Sequence, residues 1–538
     1  MILQQSQSPG PIPSSPGFHD AFNNANPYIG EDGLYMLHSA IAVGASYDSI
    51  ERYPPPRCHP QTRKVVFEII LAWTTNVLHG PRLLWVHGDP GSGKSAVSQT
   101  VAEYCAQSGQ LGATFFFSHG RGDLSDGMLL FPTLAYKLAG AIPEIRAPLS
   151  RAIQNDSSIL TQSLEVQVQK LIVEPFMAVP PPPMPILIVI DGLDACVGDE
   201  MQHRILMLLA QLIMVHRLPL CFFVTSRLHP YLQATFDTPI LRKLSNRIPL
   251  DVFASDTDVR NFLRSEFTNI RHAHAHTMAG IPDPWPSEDV INLLVQKSGG
   301  HFLYPATVIK YVDDKSGLPA ERLVEVVVSA ASDSALSPTD QLYHHILSSG
   351  ADPPALLRVL GPIVALYTPL PPKELEVLVG LGRGDVCTTL REMHALVDVP
   401  GPTASPPADT VRIPQPSVSE FLGDIHRSLQ FWIETRIYHA ELARGCIQYI
   451  GDYMDSADTL DLASYQYIRR RWLSHLEQAI PSPELFDDLR VLRFVYSRVP
   501  AEVRAVVAWL QKIPNAPHDL VHLWADWLAQ LQTSRYVP

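Results

Sequence analysis

The feature that most restricts the fold is the segment Gly-Asp-Pro-Gly-Ser-Gly-Lys-Ser at residues 88–95. It follows the apolar run 83–86 and precedes apolar side chains at helical spacing. This order predicts a buried strand, a glycine-rich loop and a helix. Glycines in such a loop let backbone N–H groups approach phosphate oxygens closely. The segment therefore predicts a phosphate-binding loop in a nucleotide-binding domain.

The side chains of this loop predict the ligand chemistry. Lys94 is expected to place its charge on the β- and γ-phosphates, and the Ser95 hydroxyl is expected to bind Mg²⁺. The expected cofactors are therefore ATP or ADP together with Mg²⁺. The predicted nucleotide-binding segment comprises Gly88, Asp89, Pro90, Gly91, Ser92, Gly93, Lys94, Ser95 and Ala96.

The composition indicates a folded protein of several domains. A chain of 538 residues is too long for one core, so three or four domains are expected. The formal net charge of −13 argues against broad nucleic-acid binding, which needs a positive surface. Six cysteines lie far apart without a CxxC pair, which indicates isolated thiols in a reducing compartment. With neither a secretory signal nor a membrane-length apolar stretch in the sequence, a cytoplasmic protein without a membrane partner is expected.

Strand-like and helix-like patterns alternate from residue 83 to residue 250. The strand-like runs are continuous rather than alternating, as expected for parallel strands covered on both faces. They lie at 83–87, 113–118, 186–190, 220–225 and 247–250. The predicted fold class is therefore α/β, with the parallel sheet of a P-loop NTPase followed by helical, winged-helix and C-terminal all-α regions.

The domain prediction follows the same change of pattern along the chain. The predicted regions are a disordered tail with a short helix (1–50), a P-loop NTPase domain (51–255), a helical domain (256–345), a winged-helix domain (346–425) and a C-terminal helical region (426–538). The winged helix is inferred from helices up to residue 395, followed by the hairpin-like segments 395–399 and 410–413. Five tryptophans are expected to anchor the C-terminal core: Trp432, Trp472, Trp509, Trp524 and Trp527.

Two later strand-like runs end in charged groups. The run 186–190 is followed by Asp191 and Asp194, and the run 220–225 is followed by Arg227. Ligands of open α/β sheets lie at this carboxyl edge. Asp191 is expected to hold Mg²⁺, Asp194 to orient the attacking water, and Arg227 to bind the γ-phosphate. The alternatives are a helix-capping aspartate and an ordinary surface arginine.

These three signals, in this order, resemble the NACHT-type signal-transduction ATPases, in particular the fungal set with a nephrocystin-type NTPase domain. The likeness covers residues 50 to about 480. Further segments that resemble this family are 57–63, 113–118, 131–138, 299–309, 416–422 and 467–476.

The resemblance implies a molecular switch. Members of the family hold ADP in a closed form and ATP in an open, self-associating form, and in fungi they are associated with non-self recognition and cell death. It implies self-association in the ATP state, and the N-terminal tail is a candidate surface for a protein partner. Thr62 and Arg63 are expected to line the base or ribose side of the nucleotide.

Three departures from the family pattern temper these expectations. Ala195 follows Asp194 where the family usually has Glu, so rapid hydrolysis is not expected. Gln415 stands where many relatives have a His that meets the ADP phosphates. With no effector domain before residue 50 and no repeat array after 480, a reduced member or a partial gene product is expected.

The sequence thus predicts a signal-transduction ATPase that hydrolyses slowly at best. Three alternatives stay open. One is a nucleotide-binding scaffold that assembles without hydrolysis, which Ala195 favours. The second is a small-molecule kinase, for which residues 120–180 lack a clustered set of arginines. The third is a DNA-binding regulator that would act through the winged helix.

Overall fold

The computed structural model describes residues 32–76, 80–120, 122–314, 317–332, 334–350, 352–401, 409–455, 462–492 and 500–533. The predicted disordered tail, and with it the candidate partner surface, lies outside these residues up to residue 31. The tip of the predicted wing, at 402–408, also lies outside them.

A five-stranded parallel sheet forms the centre of the region between residues 83 and 249, which confirms the predicted α/β fold class. Its strands are β1 (Leu83–His87), β2 (Leu111–Phe116), β3 (Ile186–Asp191), β4 (Leu220–Ser226) and β5 (Ser245–Pro249). Their order across the sheet is β2-β3-β4-β1-β5. All five predicted strands are present, and β2 and β5 begin two residues earlier than expected. Because the strands are parallel, β1, β3 and β4 all end at the same edge.

Helices make up most of the remaining fold. Up to the last strand they are α1 (Asp32–His38), α2 (Lys64–Asn76), α3 (Lys94–Gln107), α4 (Gly122–Ser125), α5 (Leu130–Ala141), α6 (Arg146–Asn155), α7 (Leu164–Gln167), α8 (Glu174–Met177), α9 (Asp199–Met214), α10 (Pro230–Phe236) and α11 (Pro239–Leu244). A π-helical stretch, Val168–Val173, joins α7 to α8.

The later helices follow one another without a further named strand in the described residues. They are α12 (Asp256–Ala273), α13 (Glu288–Ser298), α14 (Leu303–Val312), α15 (Pro319–Ala331), α16 (Pro338–Ser348), α17 (Pro353–Ala365), α18 (Pro372–Leu378), α19 (Asp385–Thr389), α20 (Pro416–Gly423), α21 (Ile425–Ser428), α22 (Thr435–Asp455), α23 (Leu462–Gln478), α24 (Pro483–Leu492), α25 (Pro500–Gln511) and α26 (His518–Thr533). Among the described residues, no helix combines the length and the apolar character needed to cross a membrane.

The chain divides into two compact units. The smaller one comprises Met1–Ile41 and Met128–Pro181. In its described part, α1 packs closely on α6, because Gly33 lies against the carbonyl oxygen of Ser150, which would be 2.2 Å from an added Cβ. The larger unit comprises Ala42–Gly127 and Pro182–Pro538, and it holds the sheet and all later helices. The predicted domain boundaries stay predictions.

The C-terminal helices pack around buried tryptophans. Trp472 and Trp524 are each 1% exposed and Trp509 is 7% exposed, while Trp527 packs at the border of the same core. The prediction was wrong for Trp432, which is 36% exposed. Its neighbour Phe431 is fully buried in its place. Adjacent side chains at the end of a short helix point in different directions, so only one of them enters the core.

The region predicted as a winged helix has the expected helices but little sheet. Helices α17, α18 and α19 are accompanied by two isolated antiparallel bridges. Leu370, between α17 and α18, pairs with Val411, and Asp398, after α19, pairs with Arg412. The third helix, predicted at 385–395, ends at Thr389. In the described residues the wing therefore consists of single bridges rather than paired strands, and the winged helix stays a prediction.

All six cysteines are free thiols, in keeping with their spacing. Burial raises the pKa of Cys105 to about 11, and that of Cys196 and Cys221 to about 12. A thiol with such a pKa is a weak nucleophile at neutral pH because the thiolate is scarce. Cys387, at the centre of α19, is the exposed one.

A pair of histidines, of which His475 is buried and His439 is half-buried, joins α22 to α23. The Nδ1 atoms of His439 and His475 lie 2.8 Å apart, and the Tyr467 hydroxyl lies 2.7 Å from His475 Nε2. One Nδ1 must donate and the other accept, so the accepting ring must be neutral. Burial lowers the pKa of His439 to about 4. Burial, with smaller contributions from His439 and Arg471, lowers the pKa of His475 well below its usual value.

We expect this pair to make the protein less stable in mild acid. Unfolded histidines bind protons near a pKa of about 6.5, whereas the folded pair stays neutral, so the unfolded state binds more protons as pH falls. Between pH 7 and 5.5, where most carboxylates stay ionised, the free energy of unfolding should drop by about 1 kcal/mol for each histidine. Urea denaturation across this range measures the drop. A His439→Gln variant with an unchanged pH slope would contradict the assignment.

Candidate nucleotide-binding site

The loop predicted to bind phosphate connects β1 to α3. Gly88 to Gly93 form the loop, and Lys94, Ser95 and Ala96 lie in the first turn of α3. Gly91 and Gly93 have φ angles of 84° and 92°, at which a residue with a side chain would be strained. The loop thus delivers the chain to the N-terminus of α3, where free N–H groups and the helix dipole favour an anion.

The Lys94 ammonium group lies within the loop. Its Nζ donates to the carbonyl oxygens of Gly88 at 2.7 Å and Asp89 at 2.8 Å. Burial lowers the pKa of Lys94, and the nearby carboxylates of Asp194 and Asp191 oppose this effect. The loop therefore holds a partly desolvated cation beside its own backbone N–H groups, and both can bind an anion.

Asp191 brings three hydroxyl groups together beside the loop. Its carboxylate accepts hydrogen bonds from Ser95 at 2.7 Å, from Ser98 at 2.6 Å and from Thr225 at 2.6 Å. The residue is 3% exposed. Ser95 and Asp191, which the sequence proposed as magnesium ligands, are therefore adjacent. Carboxylate and hydroxyl oxygens are the hard ligands that Mg²⁺ prefers, so this donor set fits the ion.

Asp194 is held by an arginine and a histidine at the same edge. The Arg227 backbone N–H donates to Asp194 Oδ1 at 2.9 Å, and Arg227 Nε lies 3.3 Å from Oδ2. His119 Nε2 lies 3.4 Å from the same Oδ2. Burial raises the pKa of Asp194, but these hydrogen bonds and charges outweigh it, and its pKa is lowered overall. Asp194 is thus a stable carboxylate and a weak base.

Arg227 also reaches a residue far along the chain. Its guanidinium group pairs with the Glu420 carboxylate on α20, a helix of the predicted winged-helix region. Gln415, the position where many relatives have His, is the N-cap residue of α20. The edge of the sheet and this distant helix are therefore connected through one arginine.

The two predicted base-side residues, Thr62 and Arg63, lie just before α2 and are both buried, each 4% exposed. The Thr62 hydroxyl donates to the His59 carbonyl at 2.8 Å. The Arg63 guanidinium donates to three backbone carbonyl oxygens, one of which belongs to the loop residue Ser92. Their contact with a base or ribose stays a prediction.

Sequence reasoning missed three carboxylate or imidazole groups of this site. Asp251, just after β5, accepts a hydrogen bond from the Asp89 N–H, with both oxygens 3.1 Å away. His119 follows β2 at the same carboxyl edge as Asp191, so its position after a strand could have identified it. Asp251 could have been identified in the same way, because it follows β5. Glu420 had no local signal, because its partner Arg227 is 193 residues away.

A parallel sheet, a glycine-rich loop that opens a helix, and an aspartate beside the loop serine together define a P-loop NTPase fold. Residues 68–227 match the family described as Nephrocystin 3, N-terminal. Over these residues the chain is similar to the NTPase domains of the nephrocystin type. A comparison with curated proteins gives no match.

Several solved structures are similar to this chain at low identity. A signal transduction ATPase with numerous domains from Pyrococcus horikoshii, which has a tetratricopeptide repeat sensor, is 11% identical with a TM-score of 0.40, over 86% of this chain and 61% of that one. Drosophila ORC bound to DNA is 14% identical with a TM-score of 0.35, over 65% and 91%. Cdc6p from Pyrobaculum aerophilum is 13% identical with a TM-score of 0.33, over 70% and 98%. The chain spans less than two thirds of the Pyrococcus protein, and at these scores the likenesses carry no functional argument.

Proposed function

We propose that the protein is an ATP- and ADP-binding switch of the NACHT class, in which the bound nucleotide controls opening and self-association. The observation that supports this most is the pairing of Arg227 with Glu420. It joins the edge where a γ-phosphate would lie to a helix of the C-terminal half. An enzyme that only converted a nucleotide into a product would need no such connection.

The proposed switch depends on competition for Arg227. A γ-phosphate offers more negative charge than the Glu420 carboxylate, so ATP would draw the guanidinium away from α20, whereas ADP would leave the pair intact. Moving a population from mostly closed to mostly open needs about 5 kcal/mol of differential binding. Several contacts must therefore change together, and the Arg227 pair is one of them.

The residues beside the loop would hold the nucleotide and its ion. Lys94 and the loop N–H groups would bind the phosphates, and the oxygens of Ser95 and Asp191 would hold Mg²⁺. When bound, the ion would neutralise phosphate charge. The proposed roles of Asp194 and Arg227 are to orient water and to bind the γ-phosphate.

Hydrolysis is proposed to be slow at best. A general base works best when its pKa lies near the working pH, and the lowered pKa of Asp194 moves it in the wrong direction. Ala195, which is 6% exposed, offers no second carboxylate. Both observations also favour the second candidate function, a nucleotide-binding scaffold that assembles without hydrolysis.

Analysis of bound nucleotide, combined with turnover assays on the purified protein, tests the proposal. Stoichiometric ADP with slow ATP turnover would support the switch. Bound nucleotide without turnover would favour the scaffold. A protein that neither carries nucleotide nor binds added Mg-ATP would sink both. The further proposals, a cytoplasmic location and a role in non-self recognition or cell death, depend on the switch.

Removing the Glu420 charge should shift nucleotide preference. In Glu420→Gln the competitor for Arg227 is weakened, so ATP should gain affinity relative to ADP by about two- to fivefold, the range for a partly exposed ion pair. Competition titrations with both nucleotides measure this ratio. Glu392→Gln, on the exposed surface of the same region, is the matched control. An unchanged ratio in Glu420→Gln would refute the competition.

A further inference from the structure

Arg63 occupies an unusual position for an arginine. It precedes α2, is 4% exposed, and has a φ angle of 56°, in the left-handed region. A buried cation costs free energy unless its donors are satisfied, and a left-handed non-glycine residue adds strain. Burial lowers the pKa of Arg63, in agreement with this environment. Such a residue needs a structural reason to be retained.

The guanidinium group finds its partners on two different segments. Its Nη2 donates to the Ser92 carbonyl in the phosphate-binding loop at 2.7 Å. Its Nη1 donates to the carbonyls of Leu250 at 3.2 Å and Phe253 at 2.7 Å, in the segment that follows β5. Backbone carbonyls of two segments thus converge on one rigid, planar fork.

The bond to Ser92 has a consequence on the opposite side of the loop. Because a trans peptide unit is planar, its C=O and the next N–H point in opposite directions. When Arg63 fixes the Ser92 carbonyl, it also fixes the direction of the Gly93 N–H. Gly93 is the residue before Lys94, at the N-terminus of α3, where the loop would meet a phosphate.

The same region ties the loop to the helical segment that follows the sheet. The Arg63 N–H donates to Asp258 in the first turn of α12 at 2.8 Å. The Arg63 guanidinium also lies 5.5 Å from the centre of the Phe302 ring. The Phe302 N–H in turn donates to the Gly91 carbonyl of the loop at 3.2 Å. The loop carbonyls are therefore held from outside by Arg63 and by Phe302.

We propose that Arg63 is a positioning residue of the phosphate-binding loop, which acts on nucleotide affinity through the Ser92–Gly93 peptide unit. This inference rests on the proposed nucleotide-binding function and changes the role of Arg63 from lining the nucleotide to orienting the loop. Arg63 also links loop geometry to the start of α12, so a change in the loop is transmitted to the helical region.

The test measures the affinity for a fluorescent ADP analogue in Arg63→Ala and Arg63→Lys. Losing hydrogen bonds from a charged, buried donor should weaken affinity by about 10- to 100-fold in Arg63→Ala. Arg63→Lys should lie between this variant and the wild type, since one ammonium cannot form the same fork. Arg57→Ala is the matched control, because Arg57 lies in the same segment but pairs with Glu103 at the surface.

Chemical rescue separates positioning from a general loss of structure. Millimolar guanidinium ion, far below denaturing concentrations, should restore part of the affinity of Arg63→Ala and none of that of Lys94→Ala. Lowered thermal stability with wild-type affinity per folded molecule would overturn the inference. Wild-type affinity in both Arg63→Ala and Arg63→Lys would overturn it as well. No binding by the wild type would instead overturn the proposed function and this role with it.

Discussion

Replacing Lys94 with alanine is expected to weaken the binding of ADP and ATP by about 100-fold, which corresponds to about 3 kcal/mol. The ammonium group lies among the loop carbonyls of Gly88 and Asp89, at 2.7 and 2.8 Å, and is the cation of the loop itself. Bound phosphate would receive charge-assisted hydrogen bonds that alanine cannot supply. Calorimetric titration with each nucleotide measures the loss.

A surface substitution provides the comparison for this prediction. Lys170→Ala removes a partly exposed lysine. Among the ion pairs of the described residues, Lys170 pairs with its helical neighbour Glu174, so its loss should leave nucleotide affinity unchanged. Circular dichroism should show that Lys94→Ala remains folded. If the folded Lys94→Ala protein bound nucleotide as the wild type does, the loop would not be the phosphate site.

Replacing Gly445 with alanine is expected to destabilise the protein by about 3 kcal/mol, the upper end of the usual cost of overpacking, because the added atom would meet rigid backbone. Gly445 lies in α22 and faces the end of α18, where an added Cβ would be 1.8 Å from the Leu378 carbonyl oxygen. Neither backbone can yield cheaply. The sign is opposite to that at an exposed helical glycine, where alanine gains up to about 1 kcal/mol.

A second helical glycine offers the control for Gly445. Gly423 ends α20, and an added Cβ there would meet no atom within 4 Å. Urea denaturation should therefore show a large loss for Gly445→Ala and a neutral or small favourable effect for Gly423→Ala. Equal stability of Gly445→Ala and the wild type would mean that α18 and α22 do not pack at this distance in solution.

The strands and the centre of the site could be predicted because both depend on local sequence. Continuous apolar runs identify strands covered on both faces, and residues that follow such strands share one edge of a parallel sheet. The proximity of Ser95 and Asp191, 2.7 Å apart, follows from these two rules. Local spacing alone was enough for the fold class.

Other features depend on contacts that no local pattern records. The Arg227–Glu420 pair joins positions 193 residues apart, and a single carboxylate on a helix has no period that would reveal it. Arg63 was expected to line the base or ribose side of the nucleotide, but its guanidinium donates to backbone carbonyls, which are present at every residue. Trp432 was expected in the core from its size, although the core had room for its neighbour Phe431.

The exposure of a single thiol on α19 gives the predicted wing region a natural labelling site. Cys387 is exposed, whereas four other cysteines are buried and Cys58 is half-buried with its pKa raised to about 11, mainly by burial. A maleimide dye at neutral pH should therefore attach at Cys387 without any cysteine being removed. Paired with a fluorescent nucleotide at the loop, the dye would turn the wild-type chain into its own energy-transfer sensor. The transfer efficiency in ADP and in ATP would then report directly how far this helix moves.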